Sequence, residues 1–425
     1  MTSQISPALP LVQLVAAHRA GQPLGIASIC SANRYVIEAC MKHALQKQSL
    51  LLLEATSNQV NQHGGYTGFT PAAFAVFTSE IARRMHFPLE RLLLGGDHLG
   101  PNPWSDKDSA SAMRKAARMV ADYARAGFVK IHLDASMPCA DDPVALDPQV
   151  AAARAAALCQ AAEEAAPEAP VYVIGTEVPP PGGALAGETL RITQSADARR
   201  TIELHRQAFE ERGLQSAWRR VIALVVQPGV EYGNDFVLPY DRLKAGELTR
   251  FIESMPALVY EAHSTDYQLP SALSQMAEDH FAILKVGPAL TFTLREALFA
   301  LAAIENETLA TSPLLDALES AMLSDDSHWR KYYPGTKRQQ ALARRYSYSD
   351  RVRYYWAQPG VDAAVQALLH RLQQNPPPLM LLSQFLPVQY WKVRNGSLSN
   401  TPLELIYDRI IETVAAYPIY RFSSE

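Results

Sequence analysis

The sequence predicts an α/β fold, a (β/α)8 TIM barrel with a C-terminal helical appendage, and two observations lead to this prediction. Eight short apolar runs that end in polar residues recur, roughly every 40 residues, over about the first 290 residues. Helix-like stretches separate these runs. Strands that alternate with helices imply a parallel sheet, and eight such units fit a closed barrel, whose usual size is about 250 residues.

Each run is too short for an independent helix and has the Ile, Val and Leu content of a strand buried on both faces. The predicted strands are 25–33, 50–59, 91–102, 129–137, 171–179, 221–231, 257–266 and 282–292. The clearest helices between them are 109–126, 150–165, 196–212 and 269–279. The alternative is a doubly wound open sheet, which would carry a glycine-rich turn after its first strand. The first strand ends in SICSANRYVIEA, without GxGxxG, so the closed barrel is favoured.

The chain divides into residues 1–305, the barrel with a short N-terminal helix, and residues 306–425, a helical extension that we expect to pack on the barrel. The last helix of the extension is amphipathic and runs over 401–417, with Thr401 as the cap and Pro402 at the first helical position. The basic and aromatic stretch RRYSYSDRVRYYW is predicted to be a solvated surface helix or a subunit contact.

Composition indicates the cellular setting. The net charge of −4 and the scattered Lys and Arg residues argue against a nucleic-acid partner or an anionic membrane. Four cysteines without a CxxC pair are typical of a reduced cytoplasmic protein. The N-terminus lacks a basic n-region, and no apolar stretch approaches the roughly 20 residues that cross a bilayer. We therefore predict a cytoplasmic location.

Polar residues gather at the ends of the predicted strands, and seven of the eight ends carry an acid or a histidine. In a barrel these ends open on one face, where sites form, so we expect a polar ligand such as a sugar phosphate to bind there. Gly287, Thr291 and Thr293 follow the eighth strand and are placed for phosphate; the alternative is a plain turn with Thr293 as the helix N-cap. The predicted substrate-binding residues are Ser31, Asn33, Glu54, Asn58, Asn102, Gln227, Lys285 and Gly287.

The sharpest pair is Asp97-His98, which follows Gly95-Gly96. A histidine at a strand end can give one ring nitrogen to a metal. The adjacent aspartate points the other way along an ideal strand, and it reaches the substrate as an acid or base if the loop twists. The alternative is a buried, hydrogen-bonded pair with a structural role.

Two further pairs repeat one geometry, because alternate residues of a strand share a face. They are His132-Leu-Asp134 and Glu261-Ala-His263, and either pair is a metal or acid–base arrangement or a structural hydrogen bond. Mixed histidine and carboxylate ligands suit zinc or manganese. The predicted ligands of such a divalent metal are His98, Glu177 and His263, and the predicted catalytic residues are Asp97, Asp134 and Glu261.

Long motifs then resemble one family, the Z subunits of D-tagatose-1,6-bisphosphate aldolase. The resemblance covers nearly the whole chain from about Gly25 and rests on EATSNQVNQHGGYTG, GGDHLGPNPW, KIHLDASMPCADDP, VIGTEVPPPGGA, VVQPGVE, EAHSTDYQ, LKVGPALTFTLREALF and YSYSDRVRYYW. It implies a barrel that serves as the non-catalytic partner of the zinc-dependent Y subunit in galactitol or N-acetylgalactosamine (tagatose 6-phosphate) catabolism. A kinase finds no support, because the sequence has no GxxxxGK[ST] loop.

The resemblance also extends, distantly, to zinc-dependent aldolases with three metal-binding histidines near strands three, six and seven. Asp97-His98 matches the first position and His263 the last, but the sixth strand ends in VQPGVE, with no histidine. Our first hypothesis is therefore an accessory subunit that stabilises and activates the Y subunit. The alternative is a metal-dependent sugar or sugar-phosphate lyase or epimerase active on its own, with Asp134 or Gln227 completing the metal shell.

Overall fold

A computed structural model describes residues 8–167, 169–175, 190–255 and 257–421 of the chain. Eight parallel strands close into a barrel in the spatial order β1, β10, β9, β6, β5, β4, β3, β2, and β7 and β8 form a separate antiparallel pair. The strands in the described residues are β1 Ile26–Cys30, β2 Leu51–Thr56, β3 Leu92–Leu99, β4 Lys130–Leu133, β5 Val171–Ile174, β6 Val221–Val226, β7 Glu231–Tyr232, β8 Val237–Leu238, β9 Val259–Ala262 and β10 Phe281–Val286. The predicted fold class is confirmed.

Helices alternate with the strands and continue after the barrel. In the described part of the chain they are α1 Leu9–Arg19, α2 Arg34–Lys47, α3 Pro71–Arg84, α4 Ser109–Arg125, α5 Pro148–Ala165, α6 Ser195–Glu211, α7 Gln215–Trp218, α8 Arg242–Glu253, α9 Pro270–Glu278, α10 Pro288–Thr308, α11 Leu314–Ser324, α12 Lys337–Tyr346, α13 Pro359–Gln374, α14 Leu379–Phe385, α15 Pro387–Arg394 and α16 Pro402–Val414. Side-chain caps begin several of them: the carboxylate of Asp108, for example, accepts the Ser111 N–H at 2.8 Å. None of these described helices combines the length and the apolar character needed to cross a membrane.

The inside of the barrel changes from apolar to polar along its axis. Near the amino ends of the strands, Leu52, Val173 and Val259 form one buried cluster with Leu11 and Leu14 of α1. Two residues further along β2 and β9 the inward positions are held by Glu54 and Glu261, since inward side chains recur at every second residue. The apolar half stabilises the barrel, and the polar half, which is equally buried, forms the site described below.

The C-terminal residues are fastened to the barrel. Helix α16 packs between α2 and α10, where the Tyr407 hydroxyl donates to Glu38 Oε2 at 2.6 Å. Helix α16 begins at Pro402 as predicted, although Thr401, at the N-cap position, makes no side-chain capping bond. Beyond α16, the Tyr417 hydroxyl donates to the Thr265 carbonyl at 2.9 Å. The packing of the extension therefore involves the first and last helices of the barrel.

Of the two alternatives predicted for RRYSYSDRVRYYW, the solvated surface helix is wrong and the subunit contact stays a prediction. The stretch RRYSYSDRVRYYW is not a solvated surface helix, because after α12 ends at Tyr346 the chain turns inward and forms a short 3₁₀ helix, Arg351–Tyr354. Ser349, Asp350 and Arg351 are each buried. We call residues 347–356 the cover segment, because it lies over the open end of the barrel and lines the cavity there.

A buried histidine on α6 gives a testable pH dependence. His205 is 1% exposed, and burial lowers its pKa to about 4. An unfolded imidazole titrates near 6.5, so between pH 6.5 and 4 the unfolded state binds more protons and the free energy of unfolding falls as pH falls. The expected loss is about 3 kcal/mol. The free energy of unfolding, measured with urea at pH 7 and at pH 4.5, should change less between the two pH values in His205→Gln than in the wild-type protein. Equal changes in the two proteins would contradict this expectation.

Candidate functional site

The floor of the polar half is a buried chain of charges. Lys130 Nζ lies 2.6 Å from Glu54 Oε1 and 2.6 Å from Glu261 Oε2, and all three side chains are fully buried. Burial lowers the pKa of Lys130, but the two carboxylates outweigh it and the pKa is raised. The ammonium group is therefore charged, and it holds β2, β4 and β9 together at this level of the barrel.

The end of β3 is irregular, and this irregularity brings two consecutive side chains into the site. The pairing of β3 with β4 shifts register between Gly96 and Leu99, and His98 has a positive φ of 49°. A bulge of this kind redirects a side chain, and a left-handed conformation outside glycine is uncommon and typical of functional sites. Asp97 and His98 consequently both contact the interior cluster. The following Gly100 is required by packing, since a Cβ there would overlap the Asp134 carbonyl oxygen.

Three histidine rings from three strands meet above the charged floor. The ring centroids of His98 and His263 are 4.8 Å apart, and His132 lies 5.3 Å from each of them. One nitrogen of each ring lies within hydrogen-bond distance of a carboxylate: His98 Nδ1 is 2.8 Å from Asp134 Oδ2, His132 Nδ1 is 3.0 Å from Asp97 Oδ1, and His263 Nε2 is 3.0 Å from Glu261 Oε1. The backbone N–H of His98 also contacts His132 Nδ1, at 3.3 Å. A histidine whose second nitrogen binds a metal is commonly held by a carboxylate in this way.

The second nitrogens of two of these rings are available. Burial lowers the pKa of His132 to about 4 and that of His263 to about 3, so both rings are neutral at pH 7. Among the residues that the structure describes, neither His132 Nε2 nor His263 Nδ1 has a hydrogen-bond partner. Buried polar atoms are rarely left without one. Neutral imidazoles with unused nitrogens are the form in which histidine binds metals.

Carboxylates complete a group able to hold a metal ion. One ligand atom from each of Asp97, His132, Glu261 and His263 can be chosen so that all four lie within 4.8 Å of one another. Around them, within the part of the chain that the structure describes, the carboxylates of Glu54, Asp97, Asp134 and Glu261 face two ammonium groups, those of Lys130 and Lys285. Hydrogen bonds from His98 and Ser136 oppose the effect of burial and hold the pKa of Asp134 below its usual range. The excess of negative charge suits a divalent cation.

A cavity of about 360 Å³ lies above the cluster. His98, His263 and Lys285 line its inner end, and Arg353 and Tyr354 of the cover segment line it from the opposite side. Lys285 Nζ contacts Asp97 Oδ2, while burial lowers the pKa of the lysine. The cavity therefore connects the histidine cluster with side chains of the C-terminal extension.

The predicted site residues are distributed around this cavity as follows. Of the predicted metal ligands, His263 belongs to the metal-capable group and His98 adjoins it, whereas Glu177 lies outside the described residues. The predicted catalytic residues Asp97, Asp134 and Glu261 hold the three histidines. The predicted substrate-binding residues that line the cavity are Ser31, Asn33, Asn58, Lys285 and Gly287.

Three of the predicted substrate-binding residues lie elsewhere in the described structure. Glu54 belongs to the charged floor. Asn102 begins a short 3₁₀ helix after β3. Gln227 Oε1 accepts the Gly229 N–H at 2.8 Å. Neither Asn102 nor Gln227 is among the described residues that line the cavity, so their contact with a substrate stays a prediction.

The N-terminus of α10 already binds a carboxylate. Asp266 Oδ1 accepts the N–H of Gly287 at 3.0 Å and that of Ala289 at 2.8 Å. Burial raises the pKa of Asp266 to about 6, although these two hydrogen bonds oppose the rise. Thr293 is not the N-cap, as the alternative reading had it, because Gly287 holds that position and the Thr293 hydroxyl donates to the Ala289 carbonyl inside the helix. Phosphate binding at Gly287 stays a prediction.

Sequence reasoning missed two parts of the site. His132 was considered only as half of the His132-Leu-Asp134 pair, and its spacing from Asp134 was the available signal. Arg353 and Tyr354 gave no local signal, because only the folded chain places the cover segment over the barrel.

The chain is similar to one family of known proteins and to solved structures. The model of a family described as D-tagatose-1,6-bisphosphate aldolase subunit GatZ/KbaZ-like matches residues 11–419. The crystal structure of a probable tagatose 6 phosphate kinase from Sinorhizobium meliloti 1021 is 46% identical, with a TM-score of 0.87 over 92% of this chain and 99% of that chain. A fructose-bisphosphate aldolase from Campylobacter jejuni is 11% identical, with a TM-score of 0.47 over 87% of this chain and 93% of that one.

Proposed function

The chain belongs to the D-tagatose-1,6-bisphosphate aldolase subunit GatZ/KbaZ-like family, and we propose that its own barrel holds a divalent metal and acts on a phosphorylated ketose as a lyase or epimerase. The observation that carries this proposal is the set of three histidines, each oriented by a buried carboxylate. The sixth strand carries no histidine, but His132 on β4 brings a third imidazole ring beside His98 and His263. This third ring supports the proposal of a metal site.

The residues fit a metal ion, because two buried imidazole nitrogens have no other partner within the described chain. Asp97, His132, Glu261 and His263 would hold it, and this mixture of nitrogen and oxygen ligands suits zinc or manganese. When bound, a divalent ion polarises a carbonyl oxygen of the substrate.

The chain itself supplies proton carriers for cleavage or formation of a carbon–carbon bond next to a carbonyl group. Such a reaction requires a base that removes a hydroxyl proton from the substrate. His98 lines the cavity, and Asp134 holds the proton on its Nδ1, so Nε2 is the atom that takes up and returns the substrate proton. Lys285 also lines the cavity and brings a positive charge to it. If the two fragments leave, the reaction is that of a lyase. If they recombine after one fragment has rotated to present its opposite face, the reaction is an epimerisation.

Family membership favours a second function, which does not exclude the first. As a tagatose-bisphosphate aldolase subunit, the chain would stabilise and activate the catalytic Y subunit in the cytoplasm, in galactitol or N-acetylgalactosamine catabolism. A kinase is not proposed, because the sequence lacks a GxxxxGK[ST] loop.

One set of assays separates these functions. Aldolase activity on D-tagatose 1,6-bisphosphate is measured with this chain alone, with Y subunit alone and with both, and conversion between D-tagatose and D-fructose 6-phosphates is followed in parallel. The metal content of each sample is determined. We expect metal-dependent turnover by this chain alone that chelation abolishes. No turnover alone, with a rise in Y-subunit activity on mixing, would support the accessory function and overturn the first proposal.

A further inference from the structure

Arg353 is a partly buried cation that reaches the cavity from outside the barrel. It belongs to the cover segment, more than sixty residues after the last barrel strand ends at Val286, and it lines the cavity together with His98 and His263. Its guanidinium donates to the carbonyl oxygens of Ser349 and Asp350 and to the Tyr354 hydroxyl. All of these acceptors are uncharged groups.

The cover segment that carries Arg353 is held firmly against the barrel. The Thr291 hydroxyl of α10 donates to Asp350 Oδ2 at 2.7 Å, and Arg295 of the same helix lies 3.4 Å from Asp350 Oδ1. The Tyr267 hydroxyl, in the loop after β9, donates to the Tyr348 carbonyl at 2.6 Å. These contacts with α10 and with the loop after β9 hold the cover segment, and therefore Arg353, at the cavity.

Other cations at the cavity have carboxylate partners, but Arg353 has none within 4.0 Å among the residues that the structure describes. Arg34, which also lines the cavity, pairs with Glu38 at 3.3 Å, and Lys285 pairs with Asp97. The adjacent Asp350 is engaged by Thr291 and Arg295. Asp266 and Asp350 interact electrostatically with Arg353, but neither carboxylate is in contact with its guanidinium in the described structure. A partly buried cation without a carboxylate in contact is stabilised when an anion binds beside it.

We propose that Arg353 binds the phosphate group of the substrate, so that the barrel supplies the metal-capable cluster and the C-terminal extension supplies the anion-binding side of one shared cavity. The guanidinium group forms paired hydrogen bonds with phosphate oxygens more readily than an ammonium does. The N-terminus of α10, where many barrels bind phosphate, is bonded to Asp266 here. The identity of the substrate as a phosphorylated ketose rests on the proposed function, whereas the phosphate contact rests on Arg353.

Calorimetric binding measurements on the full-length, Mn²⁺-loaded protein test this inference. The two ligands are D-fructose 6-phosphate and D-fructose, which differ by the phosphate group alone. The wild-type protein should bind the phosphorylated sugar about ten- to hundredfold more tightly, as expected for charge-assisted hydrogen bonds. Arg353→Gln should remove this preference, and Arg353→Lys should retain part of it. Arg34→Gln is the matched control, since Arg34 lines the same cavity but is already paired, and it should keep the preference.

Equal binding of the two sugars to the wild-type protein, no detectable binding of D-fructose 6-phosphate, or an unchanged preference in Arg353→Gln would each overturn the inference. Thermal unfolding and metal content establish whether the variants are folded. If Arg353→Gln does not fold, the comparison of the two sugars on the wild-type protein still tests the inference. Turnover is not part of this test. A protein without activity that shows a preference dependent on Arg353 would refute the proposed function and leave the phosphate contact standing.

Discussion

Replacing His132 by alanine is expected to lower metal affinity and turnover by more than about a hundredfold, since removing even an outer partner of a metal ligand costs 10- to 100-fold. His132 Nε2 is one of the two imidazole nitrogens in the cluster that have no hydrogen-bond partner in the described chain. The ring is also neutral at pH 7, because burial lowers its pKa to about 4. Metal content after dialysis, together with activity on tagatose and fructose phosphates, measures the effect.

His205→Gln is the matched control for this experiment. His205 is as deeply buried as His132 but lies on α6, where its ring donates to the Thr201 carbonyl. Its replacement should leave metal content and turnover near the wild-type values. If His132→Ala also kept its full metal content and activity, the assignment of His132 to the metal-capable group would be wrong.

Replacing Lys130 by methionine is expected to lower the free energy of unfolding by about 3–5 kcal/mol, the range found when one partner of a buried ion pair is removed. The change would leave the carboxylates of Glu54 and Glu261 facing each other without the ammonium group that lies 2.6 Å from each. Neither carboxylate is reached by solvent. Urea unfolding at pH 7 measures the loss.

Two comparisons test the cause of that loss. Arg118→Ala removes a largely exposed ion pair with Asp122 and should cost less than about 1 kcal/mol. The triple variant Glu54→Gln, Lys130→Met, Glu261→Gln removes the buried charges together and should recover much of the stability. A Lys130→Met protein with an unchanged urea midpoint would show that the three groups are not a charged network.

The fold could be predicted because the apolar runs and the polar strand ends each follow a pattern that is visible in the local sequence. Runs such as Val221–Val226 are apolar throughout, since helices cover one face and the barrel interior lies on the other. Polar residues then begin at a common level, as in β9, where Val259 is followed at alternate positions by Glu261 and His263. Both patterns are local, so the sequence alone predicts eight strands and a polar end.

The membership of the site depended on geometry that the local pattern does not contain. Ideal strand alternation places Asp97 and His98 on opposite faces, and only the bulge and the positive φ of His98 bring them together. Similarly, the third histidine was sought on the sixth strand. In the structure the third ring of the histidine cluster is His132, because β4 is the neighbour of β3, which carries His98.

The contribution of the extension was beyond the reach of sequence patterns for a different reason. RRYSYSDRVRYYW has the charge of a surface segment, and its burial depends on partners far away in sequence, such as Thr291 and Tyr267. Arg344 pairs with Glu319, Arg351 stacks on the ring of Tyr332, and Arg353 donates to backbone carbonyls.

The position of α16 between α2 and α10 bears on the order in which the protein is made. A ribosome synthesises all eight barrel strands before it has passed Val286, whereas α16 begins only at Pro402. Until then the groove between α2 and α10 has no α16 to fill it, and Glu38 lacks the hydroxyl of Tyr407. Before α16 is synthesised, the nascent barrel therefore exposes an apolar surface between α2 and α10, the kind of surface that chaperones bind.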